Sequence, residues 1–184
     1  VIPTLYNHFR SCPSSRVRIA LNIKGVEFAY VAVNLRSDAQ KSARYRAING
    51  QGMVPSLKLG DRVLTQSGAI IEWLEETYPS PPLLPRSNDD RAIVRAMAAI
   101  IGSDIQPLNN LRTQEQVRTL GAGDTELRAW THRWIDEGLS ALNGLVLRHG
   151  GEFCFGDTFS MADVYLVPQA ATAETMGFDL TSYP

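Results

Sequence analysis

Cysteines are scarce in this sequence, and their scarcity excludes a small protein held together by disulfides or by a zinc site. Only two occur in 184 residues, Cys12 and Cys154. Two cysteines are too few for a disulfide framework, and they show no zinc-type spacing to the three histidines. A reducing, cytoplasmic location is therefore the simpler interpretation.

The sequence also lacks an excess of charge of either sign. Its 18 basic and 19 acidic residues leave a formal net charge of −1, so no overall positive field would attract nucleic acid or an anionic membrane. The apolar runs are short and interrupted by charge, which predicts neither a membrane span nor a signal peptide. Hydrophobic residues make up 44%, enough for a packed core, and small-molecule chemistry fits this composition best.

The first part of the chain alternates strand and helix signals. Residues 1–6 predict a short strand, residues 14–24 a largely buried helix that ends at Gly25, and residues 28–33 a second strand. This order, continued by a hairpin and a helix, predicts a thioredoxin-like domain with a four-stranded mixed sheet. The hairpin strands are residues 56–59 and 62–64 around Gly60-Asp61, and the helix begins at Ser67 and ends before Pro79.

Beyond this helix the strand signals largely vanish. Prolines at 79, 81, 82 and 85 predict a stiff linker, and the later elements have helical periodicity. We predict an α/β domain over residues 1–82, a linker over 83–88 and an all-α domain over 89–184. The helical signals are the stripe Val94, Met97, Ala98, Ile101 and Ile105, the stripe Leu127, Trp130, Trp134, Leu142 and Leu145, and a capping box at Ser160 and Asp163 ahead of Pro168.

Nucleophile-capable side chains lie on the turn between the first strand and the first helix, within RSCPSSRVRIAL at residues 10–21. Unpaired N–H groups and the helix dipole favour negative charge at such a turn. Either Cys12 is a thiolate held there, or a hydroxyl such as that of Ser11 stabilises a thiolate carried by a ligand. The structural alternative is that Ser11, Ser14 and Ser15 only cap the helix and Cys12 fills a small buried space.

Two further junctions offer groups to a ligand. Val54-Pro55 precedes a strand, and a cis bond there would turn the Val54 backbone outward to pair with a peptide-like ligand. A trans proline that starts an ordinary strand is the alternative. Gln66 and Ser67 open a helix and offer an amide, a hydroxyl and N–H groups to a carboxylate, or serve only as a cap. A thioredoxin-like fold would bring all three junctions to one edge of the sheet.

These motifs resemble the zeta class of glutathione transferases, the family that includes maleylacetoacetate and maleylpyruvate isomerases. The segments that carry the resemblance are SCPSSRVRIAL, MVPSL at 53–57, TQSGAIIEWLEE at 65–76, DIQPLNN at 104–110 and FGDTFSMADVYLVPQ at 155–169. The resemblance implies a glutathione transferase fold, glutathione as the cofactor, an electrophilic or maleyl-type substrate, a helical domain that contributes the substrate pocket, and a homodimer.

The resemblance also implies roles for individual residues. Ser11 matches the catalytic serine that stabilises the glutathione thiolate, with Cys12 beside it, and Arg10 matches a basic residue that would meet a substrate carboxylate. Val54, with Pro55, matches the backbone contact to the cysteinyl portion of glutathione. The other glutathione-binding positions are Gln51, Gln66, Ser67, Gln106 and Asn110.

The predicted reaction is glutathione-dependent cis-trans isomerisation of a maleyl-type keto acid, and the same thiolate would serve a transferase or an α-halo acid dehalogenase. One alternative treats residues 12–15 as a glutaredoxin-like thiol-disulfide centre, and another is a scaffold that binds glutathione without turnover. Register disfavours the first, because cysteine-type transferases place the cysteine five residues before the helix arginine, and Ser11 has that spacing from Arg16. The departures from the family motif that leave the substrate open are Pro13, Ser15 and Thr175.

Overall fold

The computed structural model describes residues 2–183. By the contacts between Cα atoms the chain divides into two units, Val1–Pro82 and Leu83–Pro184. Among the described residues, the first unit contains four strands and three α-helices, and the second contains four α-helices. This order confirms the predicted mixed sheet followed by an all-helical part.

The sheet of the first unit has the strand order β2-β1-β3-β4. Strand β1 (Thr4–Asn7) pairs in parallel with β2 (Ala29–Ala32) and antiparallel with β3 (Ser56–Leu59). Strand β3 pairs antiparallel with β4 (Arg62–Thr65) through the predicted hairpin, where Gly60 has a φ of 61°. The parallel pair needs a crossover, which the first helix provides.

Helices α1 (Cys12–Ile23) and α3 (Ser67–Thr77) contact each other and bury their apolar residues in the first unit's main core. Helix α1 begins two residues before the predicted start, and Gly25 follows it with a φ of 64°, as the sequence predicted. The fully buried residues of this core are Leu5, Val17, Ala20, Leu21, Leu57, Ile70, Ile71 and Leu74.

A smaller apolar cluster lies between β2 and β3, in a segment whose sequence is largely polar. Its buried members are Val33, Tyr45 and Val54, and Tyr6 packs against them. Leu5 and Tyr6 are neighbours in β1 and point to opposite faces of the sheet, so this cluster lies across the sheet from the main core. The segment comprises the 3₁₀ turns Leu35–Ser37 and Ala39–Lys41 and the short helix α2 (Ala43–Arg46).

The proline-rich segment that follows α3 is held by hydrogen bonds. In the first unit, the Pro81 carbonyl accepts from Lys24 Nζ at 2.6 Å, and the same ammonium pairs with the Glu75 carboxylate at 2.5 Å. In the second unit, Leu83 is buried, and its carbonyl accepts from the Met161 N–H at 2.7 Å. The chain is therefore anchored within each unit close to the boundary.

The regular elements of the second unit are all helical. Both predicted apolar stripes lie on helices, and the helix through Pro168 begins at the predicted capping box of Ser160 and Asp163. The sequence pattern did not predict α5, because this helix has no buried residue and therefore no apolar stripe. The elements are α4 (Asn88–Ala99), a π-helical turn (Ile100–Ile105), α5 (Leu111–Thr119), α6 (Asp124–His149) and α7 (Met161–Thr175).

The core of the second unit requires a glycine in α6. A Cβ atom at Gly138 would overlap the side chain of Ile105, so the backbone of α6 approaches the π-helical turn closely at this point. The buried apolar residues of this core include Val94, Met97, Ala98, Ile101, Ile105, Leu127, Ile135, Leu139, Leu142, Met161, Ala162, Val164 and Ala173.

Candidate functional site

Three chain junctions lie at one edge of the first unit's sheet. The register pairs Tyr6 with Ser56 and Ser56 with Thr65, so these residues form one row across β1, β3 and β4. The chain crosses this row in alternating directions, and the junctions next to it all lie beyond the same edge. The structure thus brings together the junctions that the sequence pointed to, whose residues are Ser11, Val54 and Gln66.

Ser11 is the N-cap of α1. Its backbone is extended, with φ −78° and ψ 117°, and its Oγ accepts a hydrogen bond from the Ser14 N–H at 3.3 Å. The residue is half-buried, and the first turn of α1 contains no acidic side chain. Because Oγ is the acceptor in this bond, the hydroxyl proton can be donated to an anion beside the positive end of the helix.

Cys12 has a different environment although it is the next residue. The residue is 7% exposed, and Nη2 of the Arg16 guanidinium lies 3.5 Å from Sγ. Within residues 2–183 neither Cys12 nor Cys154 forms a disulfide. A buried thiol is poorly placed to attack a disulfide in another molecule, so the geometry favours Ser11 as the group that meets a ligand.

Arg10 is exposed on the loop that leads into α1. Its guanidinium lies over the Phe9 ring, 5.6 Å from the ring centroid, and Phe9 itself is largely exposed. The Phe9 ring also lies 5.0 Å from the imidazole ring of His8. This stacking directs the guanidinium without using its hydrogen-bond donors, which can still bind a carboxylate.

Sequence reasoning missed Arg18, which anchors the loop between β1 and α1. Its guanidinium donates to Asn7 Oδ1 at 2.7 Å, Ser15 Oγ at 2.7 Å, the Phe9 carbonyl at 2.9 Å and the His8 carbonyl at 3.3 Å. Partial burial lowers the pKa of Arg18, but an arginine remains charged throughout the physiological range. The available signal was its position three residues after Ser15, on the same helix face.

The peptide bond between Val54 and Pro55 is cis. Val54 is buried in the cluster that contains Tyr45. Across the described part of the chain, neither the N–H nor the C=O of Val54 pairs with another backbone group. The protein therefore does not itself occupy the two groups that would pair with an extended peptide.

Gln66 and Gln51 meet through their side chains, since Gln66 Nε2 donates to Gln51 Oε1 at 2.7 Å. Gln66 has a φ of 66°, which is uncommon outside glycine and typical of functional sites. It is followed by Ser67, the first residue of α3, whose N-terminus has no side-chain cap and no acidic residue in its first turn. These unpaired N–H groups and the two amides offer a carboxylate several donors.

The two remaining predicted residues lie in the second unit, and both are half-buried. The Gln106 N–H donates to the Ile101 carbonyl at 3.0 Å, at the end of the π-helical turn. Asn110 is the N-cap of α5, and its Oδ1 accepts from the Arg112 N–H at 3.2 Å. Capping accounts for Asn110 structurally, and a contribution of either residue to ligand binding stays a prediction.

The donor set at the sheet edge fits a thiol peptide with carboxylate ends. It offers a hydroxyl at one helix N-terminus and amides and N–H groups at another. Between them lies the backbone just before β3, whose groups at Val54 are not paired with other backbone groups in the part of the chain that the structure describes. Among the residues that the structure describes, no group of three or more His, Cys, Asp or Glu side chains could hold a metal ion. Over the same residues, no helix has the length and apolar composition needed to cross a membrane.

Comparison with known proteins identifies the family. A family model of the glutathione S-transferase N-terminal domain matches residues 5–82. The maleylpyruvate isomerase of a Ralstonia species is 49% identical over 183 residues, which cover 98% of this chain and 86% of that protein. The match extends through both units.

Solved structures agree with this comparison. The holo structure of a maleylpyruvate isomerase, described as a bacterial zeta-class glutathione S-transferase, gives a TM-score of 0.95 at 48% identity and covers 98% of this chain and 87% of that one. A maleylacetoacetate isomerase from Anaeromyxobacter dehalogenans, solved with glutathione in its active site, gives 0.89 at 40% identity, with 100% and 86% covered. The chain therefore belongs to the zeta class of glutathione S-transferases, the family that contains the maleylacetoacetate and maleylpyruvate isomerases.

Proposed function

We propose that this protein is a glutathione-dependent isomerase that converts maleyl-type keto acids, such as maleylpyruvate or maleylacetoacetate, into their fumaryl isomers. The observation that carries the proposal is the position of Ser11 at the N-terminus of α1, at the same sheet edge as Val54 and Gln66. The 49% identity with the Ralstonia maleylpyruvate isomerase supports this substrate class.

Glutathione would bind along this sheet edge. Its γ-glutamyl carboxylate would meet the uncapped N-terminus of α3 at Gln66 and Ser67, with Gln51 bonded to Gln66. The backbone of Val54, next to Pro55, would pair with the cysteinyl portion. This placement brings the cysteine of the tripeptide toward the N-terminus of α1.

The residues around the thiol would supply electrostatic stabilisation. When bound, glutathione provides a thiolate that adds reversibly to the activated double bond, and the single bond that results permits rotation. Ser11 donates its hydroxyl proton as a hydrogen bond to the sulfur, and the N–H groups of the first turn of α1 add positive potential. Arg10 would bind a substrate carboxylate and orient the double bond. The sulfur leaves from the same carbon to which it was added, so the reaction needs little acid-base catalysis. The site therefore does not depend on a histidine-carboxylate pair.

The domains would divide this work. Residues 1–82 would bind glutathione, residues 83–88 would form the linker, and residues 89–184 would contribute the substrate pocket; the family resemblance implies a glutathione-binding role for Gln106 and Asn110. We infer a homodimer from the family resemblance, which the mass in solution by light scattering would test. We also infer a cytoplasmic location, where thiols are kept reduced.

The test is a direct assay of isomerisation. Purified protein is mixed with glutathione and either maleylpyruvate or maleylacetoacetate, and the enol absorbance of the substrate is followed. We expect the absorbance to change only when protein and glutathione are both present. If neither compound is converted, the isomerase proposal is wrong. Parallel assays with an α-halo acid and with other electrophiles would show whether the same site also supports dehalogenase or transferase activity.

The two alternatives make different predictions. A thiol-disulfide role for Cys12 is less well supported because this residue is only 7% exposed, and a Cys12→Ser variant with full activity would eliminate it. A scaffold that binds glutathione without turnover would be retained on a glutathione matrix yet convert none of the electrophiles.

A further inference from the structure

Two buried polar side chains hold the segment that leads into β3 and contains Val54. The Tyr45 hydroxyl, on a residue that is 4% exposed, donates to the Met53 carbonyl at 2.7 Å and lies 2.9 Å from Ser56 Oγ. The Asn49 amide, on a residue that is 5% exposed, donates from Nδ2 to the Met53 carbonyl at 2.9 Å and to Ser56 Oγ at 3.1 Å. Both side chains therefore bond to the residues on either side of the Val54-Pro55 dipeptide.

The protons of this network can be assigned without conflict. Tyr45 uses its single proton on the Met53 carbonyl, so the Ser56 hydroxyl donates to Tyr45 Oη. Asn49 uses one Nδ2 proton on Met53 and the other on Ser56. Burial raises the pKa of Tyr45, so its hydroxyl remains a donor at neutral pH. A buried network in which every donor has an acceptor specifies one geometry.

Asn49 also connects this network to the exposed amides at the sheet edge. Its Oδ1 accepts from the Gln51 N–H at 3.0 Å, and its carbonyl accepts from the Gly52 N–H at 2.9 Å. The Gln51 side chain in turn accepts from Gln66 at the start of α3. Gln51 thus connects the two sites, because its backbone bonds to the buried Asn49 amide and its side chain bonds to Gln66 at the proposed carboxylate site.

We propose that Tyr45 and Asn49 are positioning residues for glutathione, which hold the backbone at Val54 and at Gln51 in the conformation that binds the tripeptide. The inference rests on the proposed function, because that function places glutathione at this sheet edge. Both side chains are buried and act only through the residues they bond. The competing explanation is a purely structural role, in which the network contributes to folding and leaves glutathione affinity unchanged.

The first test removes one hydroxyl. Tyr45→Phe keeps the ring packed against Val33 and Val54, and Tyr78→Phe, at the C-terminal end of α3 in the same unit, is the matched control. In Tyr45→Phe we expect the Kd and the KM for glutathione to rise about 3- to 10-fold. The kcat at saturating glutathione and the KM for the maleyl substrate should stay within about two-fold. Tyr78→Phe should leave all four values within about two-fold of the wild type.

The second test removes two donors. Asn49→Asp retains the shape and the Oδ1 acceptor but lacks both Nδ2 donors, and we expect a rise of about 10- to 30-fold in the Kd for glutathione by calorimetry. If Asn49→Asp does not fold, Tyr45→Phe decides alone.

The outcomes separate this inference from the proposed function. Unchanged Kd values in the folded variants overturn the positioning role, even if the unfolding temperature falls. A wild-type protein that binds no glutathione overturns both the proposed function and this inference. A wild-type protein that binds glutathione but does not isomerise the substrates overturns the reaction only, and the Kd comparison still decides whether Tyr45 and Asn49 position the ligand.

Discussion

Two helix N-termini in this protein, those of α7 and α1, have the same positive potential but differ in the groups that meet it. At α7, the Asp163 carboxylate accepts from the Ser160 N–H at 2.7 Å, the Ser160 hydroxyl at 2.8 Å and the Cys154 N–H at 2.9 Å. At α1, the Ser11 hydroxyl accepts one bond, from the Ser14 N–H at 3.3 Å, and no acidic residue lies in the first turn. At α7 the chain's own Asp163 carboxylate neutralises the positive end of the helix, which we call the closed N-terminus. The positive end of α1, which we call the open N-terminus, is left for an external anion.

The cysteine near α7 shows how burial next to an internal carboxylate affects a thiol. Cys154 is 5% exposed, and burial, together with Asp163, raises the pKa of its thiol far above the usual range. The thiol therefore stays protonated although it lies close to a helix N-terminus. Proximity to a helix N-terminus is thus not enough to stabilise a thiolate when the sulfur is buried next to a carboxylate.

The largest effect should come from opening the closed N-terminus. Asp163→Ala leaves the N–H groups of Ser160 and Cys154 without their acceptor in a buried site, and we expect it to lower the free energy of unfolding by about 3–4 kcal/mol. Urea unfolding measures this loss, and the folded variant should keep its glutathione affinity within about two-fold. Asp157→Ala, at an exposed carboxylate that accepts from the Glu152 N–H, should cost less than about 1 kcal/mol. A weaker glutathione affinity in Asp163→Ala would contradict the comparison, because it would mean that the N-terminus of α7 also serves ligand binding.

The opposite pattern is expected at the open N-terminus. Ser11→Ala should lower kcat/KM about 100-fold, because the thiolate loses its hydrogen bond, while the free energy of unfolding falls by only about 1 kcal/mol. Steady-state kinetics and urea unfolding on the same preparation measure both quantities. Ser87→Ala, which removes the N-cap of α4, controls for the loss of a cap. Full activity in Ser11→Ala would show that the N–H groups of α1 suffice without the hydroxyl.

A smaller effect should follow from loosening the loop that leads to the open N-terminus. Arg18→Met removes the bonds to the backbone of the loop before Arg10, and we expect kcat/KM to fall about 10-fold because Arg10 and Ser11 lose their fixed placement. Arg118→Met is the control, since its exposed pairing with Asp124 at 3.5 Å contributes little. Equal kinetics in both variants would mean that Arg18 serves the fold alone.

The smallest effect concerns pH. An unfolded cysteine ionises at about pH 8.5, whereas folded Cys154 keeps its proton. Above this pH the unfolded state therefore binds fewer protons, and the free energy of unfolding falls as the pH rises. Allowing for solvent screening, we expect wild type to lose about 1 kcal/mol more than Cys154→Ala between about pH 8 and pH 10. Both proteins retain Cys12 and Tyr45, so these groups cancel in the difference. Parallel pH curves for the two proteins would contradict the raised pKa.

Much of the candidate site could be predicted because its parts lie at chain junctions with local signals. The polar turn at residues 10–15, the proline after Val54 and the start of α3 at Gln66 can each be recognised from a few neighbouring residues. The bond between Gln51 and Gln66 could not be predicted, because it joins residues 15 positions apart that only the hairpin brings together. Helix α5 escaped prediction for another reason, since it buries no apolar face.

The sequence by itself determined the order of strands and helices, the caps at Ser11 and Ser160 and the turns at Gly25 and Gly60, because each depends on interactions within a few residues. Only the tertiary structure decided that Cys12 is buried while Ser11 stays half-exposed, and that Asp163 reaches Cys154 nine residues away. It also decided that Tyr45 and Asn49 bond to both sides of Val54-Pro55. Those outcomes depend on which distant segments fill the surrounding space, and local periodicity carries no record of them.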